Sequence, residues 1–362
     1  MNIEQIKLLV KGALSKDASV NFEDRENAAV KALLEFYGLN ENSSYREIKR
    51  VTKGDFSIIE EVIDEILPAE LENIMGQWAE IKQFARDEEV KFNVPNLGKK
   101  RAMLGIVPGA RGGLYKARRL DGKSFTMSTK VYTAAVYVTL EDILLNRVTL
   151  GELMDNILKG ITYQVYVEVV NALRTIYTLA PAANKHSAKG LVTDAFDNIV
   201  RVVSAYGNPT IVCFESFANK FTNVAGSTYP NVSAADLDDI RNYGRVQIYK
   251  GRPIIVVPNF ITNENTNATW AFSEADCFIL PAGYKPVRVA MQGDGYIAPV
   301  QIPSGGEEEH YHKIMGVGMV LVNNCGIYHD IDIAEAEKGK VAYTSSVAFP
   351  GLEPEEEENG EN

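Results

Sequence analysis

The residues best suited to chemistry stand in one short run, Glu307-Glu308-Glu309-His310-Tyr311-His312. Two histidines at i and i+2 share one face of a strand, and imidazole beside carboxylate is a donor set for zinc or a related cation. A closed site needs a third, distant ligand, and His186 and His329 are the only other histidines. A solvated, Gly-rich acidic loop over Pro303–Glu309 is the better reading, so no metal is expected. Gly122-Lys123-Ser124 looks like the end of a phosphate-binding loop, but that motif wants a glycine where Ala117 stands. A tight hairpin turn is expected there instead. Gly316-Val317-Gly318 lacks the third glycine of a dinucleotide fingerprint, because Leu321 holds that place. Cys213 lies in the apolar run Thr210–Phe214, where core packing outweighs a nucleophilic role. Neither a G-x-S-x-G elbow nor an H-E-x-x-H helix occurs. The expectation is a chain with no catalytic residue and no cofactor.

Charge is the more informative signal. The 362-residue chain has a formal net charge of -11, which argues against a protein coating nucleic acid through its whole surface. Lys99–Lys130 reverses the balance, with Lys99, Lys100, Arg101, Arg111, Lys116, Arg118, Arg119, Lys123 and Lys130 against Asp121 alone. Leu114–Leu120 and Ser124–Val138 read as strands joined through Asp121-Gly122, a hairpin dipeptide. The first arm has little apolar content, so the hairpin cannot bury itself against its own domain. It fits an acidic surface on another subunit. Cys213, Cys277 and Cys325 are widely spaced and form no C-x-x-C pair, as expected of reduced thiols in a cytoplasm. The opening Met1–Gly12 is too short and charged for a signal peptide. No apolar run reaches the roughly 18 residues of a membrane span, so no membrane partner is expected.

The elements that position these groups follow from apolar spacing. Residues 1–92 read as helices with polar backs. Ile3, Ile6, Leu9 and Val10 form one stripe, and Ala28 to Phe36 a second that ends at Gly38. Ile58, Ile59, Val62, Ile63 and Ile66 form a third, stopped at Leu67-Pro68, and Ala69–Glu89 restarts as a helix. The longest periodic stretch is Thr149–Leu179. Thr149 and Glu152 have capping-box spacing. Leu153, Ile157, Ile161, Val165 and Val169 then mark one face, widened by Met154, Leu158, Tyr166 and Val170. With no proline before Pro181, this helix is expected to run roughly 45 Å. Beyond it, Val192–Tyr206, Glu215–Phe221 and Ser233–Tyr243 read as helices, and Thr210–Phe214 and Asp276–Leu280 as buried strands. Arg245–Tyr249 and Pro253–Pro258 read as a hairpin about Lys250-Gly251-Arg252. Lys285–Ala298 and Ile314–Asp332 are expected as closing strands. The last twelve residues hold six glutamates and no base, the composition of a solvated tail.

The stretch Arg241-Asn242-Tyr243-Gly244-Arg245-Val246-Gln247-Ile248-Tyr249-Lys250-Gly251-Arg252-Pro253-Ile254 has a helix end, a glycine, a strand, K-G-x-P and a second strand. Together with the order of helical arm, basic hairpin, very long helix, α/β segment and return strands, it resembles the major capsid protein of tailed bacteriophages. That is the Hong Kong 97-type fold, and the resemblance spans roughly residues 70–335.

The resemblance implies an α+β subunit. Residues 1–95 would be a helical N-terminal arm or added helical domain, and 96–140 a strand and the extended E-loop hairpin, with Gly112–Leu140 as the loop proper. Residues 141–190 would hold the spine helix of the peripheral P domain, and 191–300 the axial A domain. The P-domain return strands would fill 301–350, and 351–362 would be the acidic tail. It further implies a non-enzymatic subunit that self-assembles into pentamers and hexamers. The icosahedral shell would enclose double-stranded DNA without sequence-specific contacts. Assembly would occur in the host bacterial cytoplasm and the product would be the virion, with scaffolding, portal and decoration proteins as partners. Arg111, Lys116, Arg118, Arg119 and Lys123 are the expected interface bases. Leu153, Ile157, Ile161, Val165 and Val169 are the expected packing face of the spine. Some relatives cross-link a hairpin lysine to an asparagine on a neighbour. Lys116, Lys123, Lys130, Asn323 and Asn324 have the right types, but nothing marks a pair and no cross-link is expected. The rival readings are an encapsulin-like compartment around cargo protein and a metabolic enzyme with an unrecognised site.

Overall fold

Apolar spacing at the start of the chain is realised as four helices in the computed structural model: α1 (Ile3–Leu14), α2 (Phe22–Phe36), α3 (Tyr45–Thr52) and α4 (Ser57–Met75). The structure describes residues 3–14, 22–40, 43–52, 56–94, 123–136, 143–145, 149–223, 242, 245–262, 265–282, 285–301, 307–320 and 322–342. Ile6 and Val10 of α1, Ala29 and Leu33 of α2, and Ile59 and Val62 of α4 share one core.

Two expectations are corrected here. Helix α4 does not stop at Leu67-Pro68, because Pro68 lies inside it. Proline removes one backbone donor, but Ile63, Leu67, Leu71 and Met75 are buried on both sides of it, and their packing carries the helix through. The helix expected over Ala69–Glu89 ends at Met75; Ala79–Phe84 is strand β1 and Lys91–Val94 is β2. Trp78, Ile81 and Phe84 have helical spacing, yet the ladder from Ala79 to Phe84 with a distant strand overrides that local signal.

The chain continues through β3 (Lys123–Thr126), β4 (Lys130–Val136), α5 (Leu150–Arg174), α6 (Ile176–Leu179), β5 (Lys185–Ala188), α7 (Thr193–Ser204) and β6 (Pro209–Cys213). Then come α8 (Glu215–Asn223), β7 (Ile248–Tyr249), β8 (Arg252–Val256), β9 (Asp276–Pro281), β10 (Val287–Gln301), β11 (Glu307–Met319), β12 (Gly326–Asp330) and α9 (Ile331–Ala336). The first sheet has the order β1-β10-β11-β4 and the second β5-β12-β9-β6-β8-β7. In the first, only β1 and β10 run parallel. In the second, β12 is parallel to β5 and β6 to β8, and the other pairs are antiparallel. Strands β2 and β3 form a separate ribbon with Lys91 opposite Thr126. The class is α+β, as expected.

Pairing redraws the expected limits. All but the last residue of strand β10 falls within 191–300, yet the strand belongs to the first sheet, while β5 and β12, from outside that range, complete the second. The single strand expected over Ser124–Val138 is two strands in different sheets. Lys123 and Ser124, expected in a turn, face Val94 and Asn93 across the ribbon. Glu307–Glu309, expected as loop, open β11, and the run Ile314–Asp332 is divided between β11 and β12 by a short turn at Val322–Asn324. Leu114–Leu120, Asp121-Gly122, the Ser233–Tyr243 helix apart from Asn242, and the acidic tail lie outside the described residues. The hairpin about Lys250-Gly251 is present: both residues have positive φ, 46° and 79°, the two-residue turn that glycine favours.

Helix α5 organises this arrangement. Its 25 residues span about 37 Å, and Leu153, Ile157, Ile161, Val165 and Val169 are all buried, as are Met154, Leu158, Tyr166 and Val170. Packing against α1, α4, β4, β10 and β11 explains so wide an apolar face. The single helix expected to reach Leu179 is broken at Thr175, whose hydroxyl donates to the Ala172 carbonyl at 2.6 Å. At the other end the two residues of the expected capping box bond each other and not the helix amides. Thr149 Oγ1 donates to Glu152 at 3.1 Å, but the amides of Leu150 and Gly151 donate to the buried carboxylate of Glu26, on α2. A carboxylate satisfies the orphan amides and the positive end of the helix dipole together. Glu26→Ala leaves both amides without that acceptor and is expected to lower unfolding free energy by about 1–3 kcal/mol in a denaturant titration. Glu26→Gln, which keeps an acceptor, is expected to lose less. An unchanged midpoint in Glu26→Ala would contradict the cap.

Candidate assembly surface and the joints behind it

Alternation along β11 sends Tyr311 and Lys313 to the face covered by α4, and His310 and His312 to the other. On the covered face, Asp64 of α4 is the shared acceptor. Its Oδ1 accepts from Lys313 Nζ at 2.7 Å and from the Tyr311 hydroxyl at 2.8 Å, and its Oδ2 accepts from the Gly295 amide at 2.6 Å. Lys313 Nζ also donates to the Gly293 carbonyl at 2.8 Å, and Glu60, one turn earlier on α4, accepts from the Ile297 amide at 2.5 Å. A Cβ on Gly295 would stand 2.0 Å from the Tyr311 hydroxyl oxygen, so no side chain fits there. Burial, and then Asp64, drive the Tyr311 hydroxyl pKa upward. Lysine and tyrosine donate together to one carboxylate, which ties the N-terminal helices to the first sheet.

A second joint closes the far end of α5. Arg174 Nε donates to Asp276 Oδ2 at 2.7 Å, and its Nη2 to the Ser273 carbonyl at 3.1 Å. His329 Nδ1 lies 2.8 Å from Asp276 Oδ1. Asp276 is on β9 and His329 on β12, so the ion pair fastens the spine to the second sheet. An aspartate beside a histidine also makes two of the three members of a catalytic triad, but Arg174 is 1% exposed and Asp276 and His329 are 0%. No substrate reaches them. Burial alone would raise the Asp276 pKa, but Arg174 and His329 outweigh it and hold the carboxyl below its ordinary value.

The remaining chemical candidates fall to structural roles. On the outer face of β11 the ring of Tyr296 stacks on His312 with centroids 5.0 Å apart, and Thr133 Oγ1 lies 2.9 Å from His312 Nδ1. Burial, then His310, lower the His312 pKa. Among the described residues no three His, Cys, Asp or Glu side chains gather as a metal site would require. Cys213 stands opposite Cys277 in the ladder, and all three cysteines are buried and free. Burial, then Cys213, push the Cys277 thiol up, and burial takes Cys325 to about 12. Thiols so protonated are poor nucleophiles.

Of the interface bases expected from sequence, Arg111, Lys116, Arg118 and Arg119 lie outside the described residues, and Lys123 is in β3. Asn323 is exposed and Asn324 buried. Glu26, Asp64, Arg174 and Asp276 were not foreseen. Arg174 alone carried a signal, as a lone base on the apolar stretch Val165–Ile176.

For Asp276 the folded pKa lies below the unfolded value of about 3.9, so its stabilisation is present above that pH and lost as pH falls through the folded pKa. Asp276→Asn is expected to cost about 3–5 kcal/mol at neutral pH, because it leaves Arg174 buried without its anion. In denaturant titrations at stepped pH the gap between variant and wild type should narrow below about pH 4. A gap that is absent at neutral pH, or that widens in acid, would contradict the joint.

Comparison with known proteins gives these features a context. A chain of the satellite phage P4 procapsid is similar over 74% of this chain and 90% of that chain, at 12% identity and a TM-score of 0.47. A chain of the bacteriophage PhiM1 mature capsid is similar over 71% and 86%, at 9% identity and a TM-score of 0.43. A chain of the holo-SrpI encapsulin complex from Synechococcus elongatus is similar over 74% and 88%, at 11% identity and a TM-score of 0.40. No curated protein matches the chain. The family model described as "SPbeta prophage-derived putative capsid protein YonB" matches residues 7–320. The chain belongs to this YonB capsid-protein family.

Proposed function

We propose that the chain is the shell subunit of a phage head, a structural protein without turnover. Copies assemble into pentamers and hexamers and close an icosahedral shell around packaged double-stranded DNA. The observation that carries this reading is the capsid-family match across residues 7–320. In Hong Kong 97-type terms the first sheet and α5 are the P domain, and the second sheet with α7 and α8 is the A domain. The β2–β3 ribbon is the base of the E-loop, and α1–α4 are an added helical layer on the P domain. The two sealed joints suit a mechanical part, since each fixes a helix end or helix face to a sheet. A net charge of -11 suits a container, because it limits binding of DNA to the wall. The product is a virion component assembled in the host cytoplasm, with scaffolding, portal and decoration proteins as its other partners.

In this reading Arg111, Lys116, Arg118, Arg119 and Lys123 meet an acidic surface on the neighbouring subunit. One exposed pair contributes about 0–1 kcal/mol, but a closed shell repeats it at every equivalent contact. Arg118→Glu combined with Arg119→Glu is therefore expected to leave folded, soluble subunits that do not make shells under the electron microscope. Normal shells from that variant would remove the hairpin's role. The contents of wild-type particles separate head from compartment: nucleic-acid absorbance supports the phage head, and a co-purifying enzyme moves the assignment to an encapsulin-like shell.

A further inference from the structure

A cavity of about 650 Å³ opens between α4 and α5, a volume in the range of small-ligand sites. Ile66, Glu70 and Ile74, spaced four residues apart, line it from α4. Three aromatic rings line it as well, Tyr163 and Tyr166 of α5 and Phe260. Tyr163 meets Phe260 with centroids 5.3 Å apart at 70°, and Tyr166 meets it at 5.4 Å and 86°. The Tyr166 hydroxyl donates to the Pro258 carbonyl at 2.6 Å, which fixes that ring in place. Aromatic rings set nearly at right angles around a cavity are the construction that receives organic ammonium ions.

The polar groups around the cavity are the second observation. Thr162 lines it and is 7% exposed, yet its Oγ1 has no hydrogen-bond partner among the described residues. A buried hydroxyl left unpaired costs free energy that a ligand atom beside it would recover. Lys159 also lines the cavity, but it is paired with Asp155, one turn earlier on α5. Glu70 is exposed and has no ion-pair partner among the described residues, so the lining carries an unanswered negative charge. The lining stripes, Ile66 to Ile74 and Asp155 to Tyr166, run about 12–16 Å along their helices. A helix of that length, about 10 Å across, would displace roughly 1000 Å³. The cavity holds less than that, so a small molecule is the better fit.

We propose that this cavity binds a small organic ammonium ion. Its apolar body lies among the three rings and against Ile66 and Ile74, its ammonium group faces Glu70, and a polar atom meets Thr162 Oγ1. Such a ligand joins the N-terminal layer to the spine helix and stabilises the folded chain by mass action. The site is complete within one subunit and does not depend on the shell reading.

Tryptamine, indole and indole-3-acetate share one ring system and differ in charge, and calorimetric titration of each into the purified full-length chain tests the proposal. Tryptamine is expected to bind most tightly and to raise the melting temperature. Indole-3-acetate should be weaker by at least about fivefold, the scale of one exposed charge contact. Glu70→Gln, at an exposed position, should fold as wild type and erase that preference. Ile74→Trp fills the cavity and should abolish binding of all three probes; if it does not fold, the Glu70→Gln titration decides. Equal binding of the three probes, binding of none, or a preference for tryptamine that survives Glu70→Gln overturns the proposal.

Discussion

Asp276, sealed from water between Arg174 and His329, is the interaction on which the rest of the subunit depends. A buried carboxylate is tolerated only where its charge and lone pairs are answered, and here the answers come from the last turn of the spine helix and from β12. The ion pair therefore fixes the end of α5 relative to the second sheet. The body of α5 is fixed to the first sheet by its apolar face, and its start by Glu26. One helix so held at its end, face and start transmits the position of one sheet to the other.

The N-terminal helices belong to that frame. Asp64 of α4 is the common acceptor for a lysine, a tyrosine and a backbone amide of the first sheet, and Lys313 is 5% exposed. Without Asp64, a buried ammonium would lose its counter-charge, at a cost of several kcal/mol. The apolar stripes of α1, α2 and α4 also enter the same core as the spine. This layer therefore shares one core with α5 and is not a separate unit.

Much of this was legible in the sequence where the signal is local. The spine face from Leu153 to Val169, the buried strand containing Cys213 and the Lys250-Gly251 turn each follow from periodicity or turn chemistry over a few residues. What escaped is long-range. Ala79–Phe84 has helical spacing but is a strand because β10 pairs with it, and nothing near residue 79 encodes residue 287. Pro68 reads as a stop because the local penalty is visible and the packing of Leu67 and Leu71 is not. Glu26 and Asp64 look like solvated acids on polar helix backs until the fold brings amides and a lysine to them. Chemistry that joins distant elements has no spacing to betray it. The family, by contrast, was legible from the order of the elements and the Arg241–Ile254 stretch, although several of the elements were misread.

The central claim is that this subunit closes a shell with copies of itself. Sedimentation velocity of the purified wild-type chain, with negative-stain microscopy of the fastest fraction, tests it most directly. The prediction is a population of closed, uniform shells in equilibrium with, or derived from, free subunits and capsomers. A single small oligomer at every concentration tried, with no shells in the stained field, would contradict it.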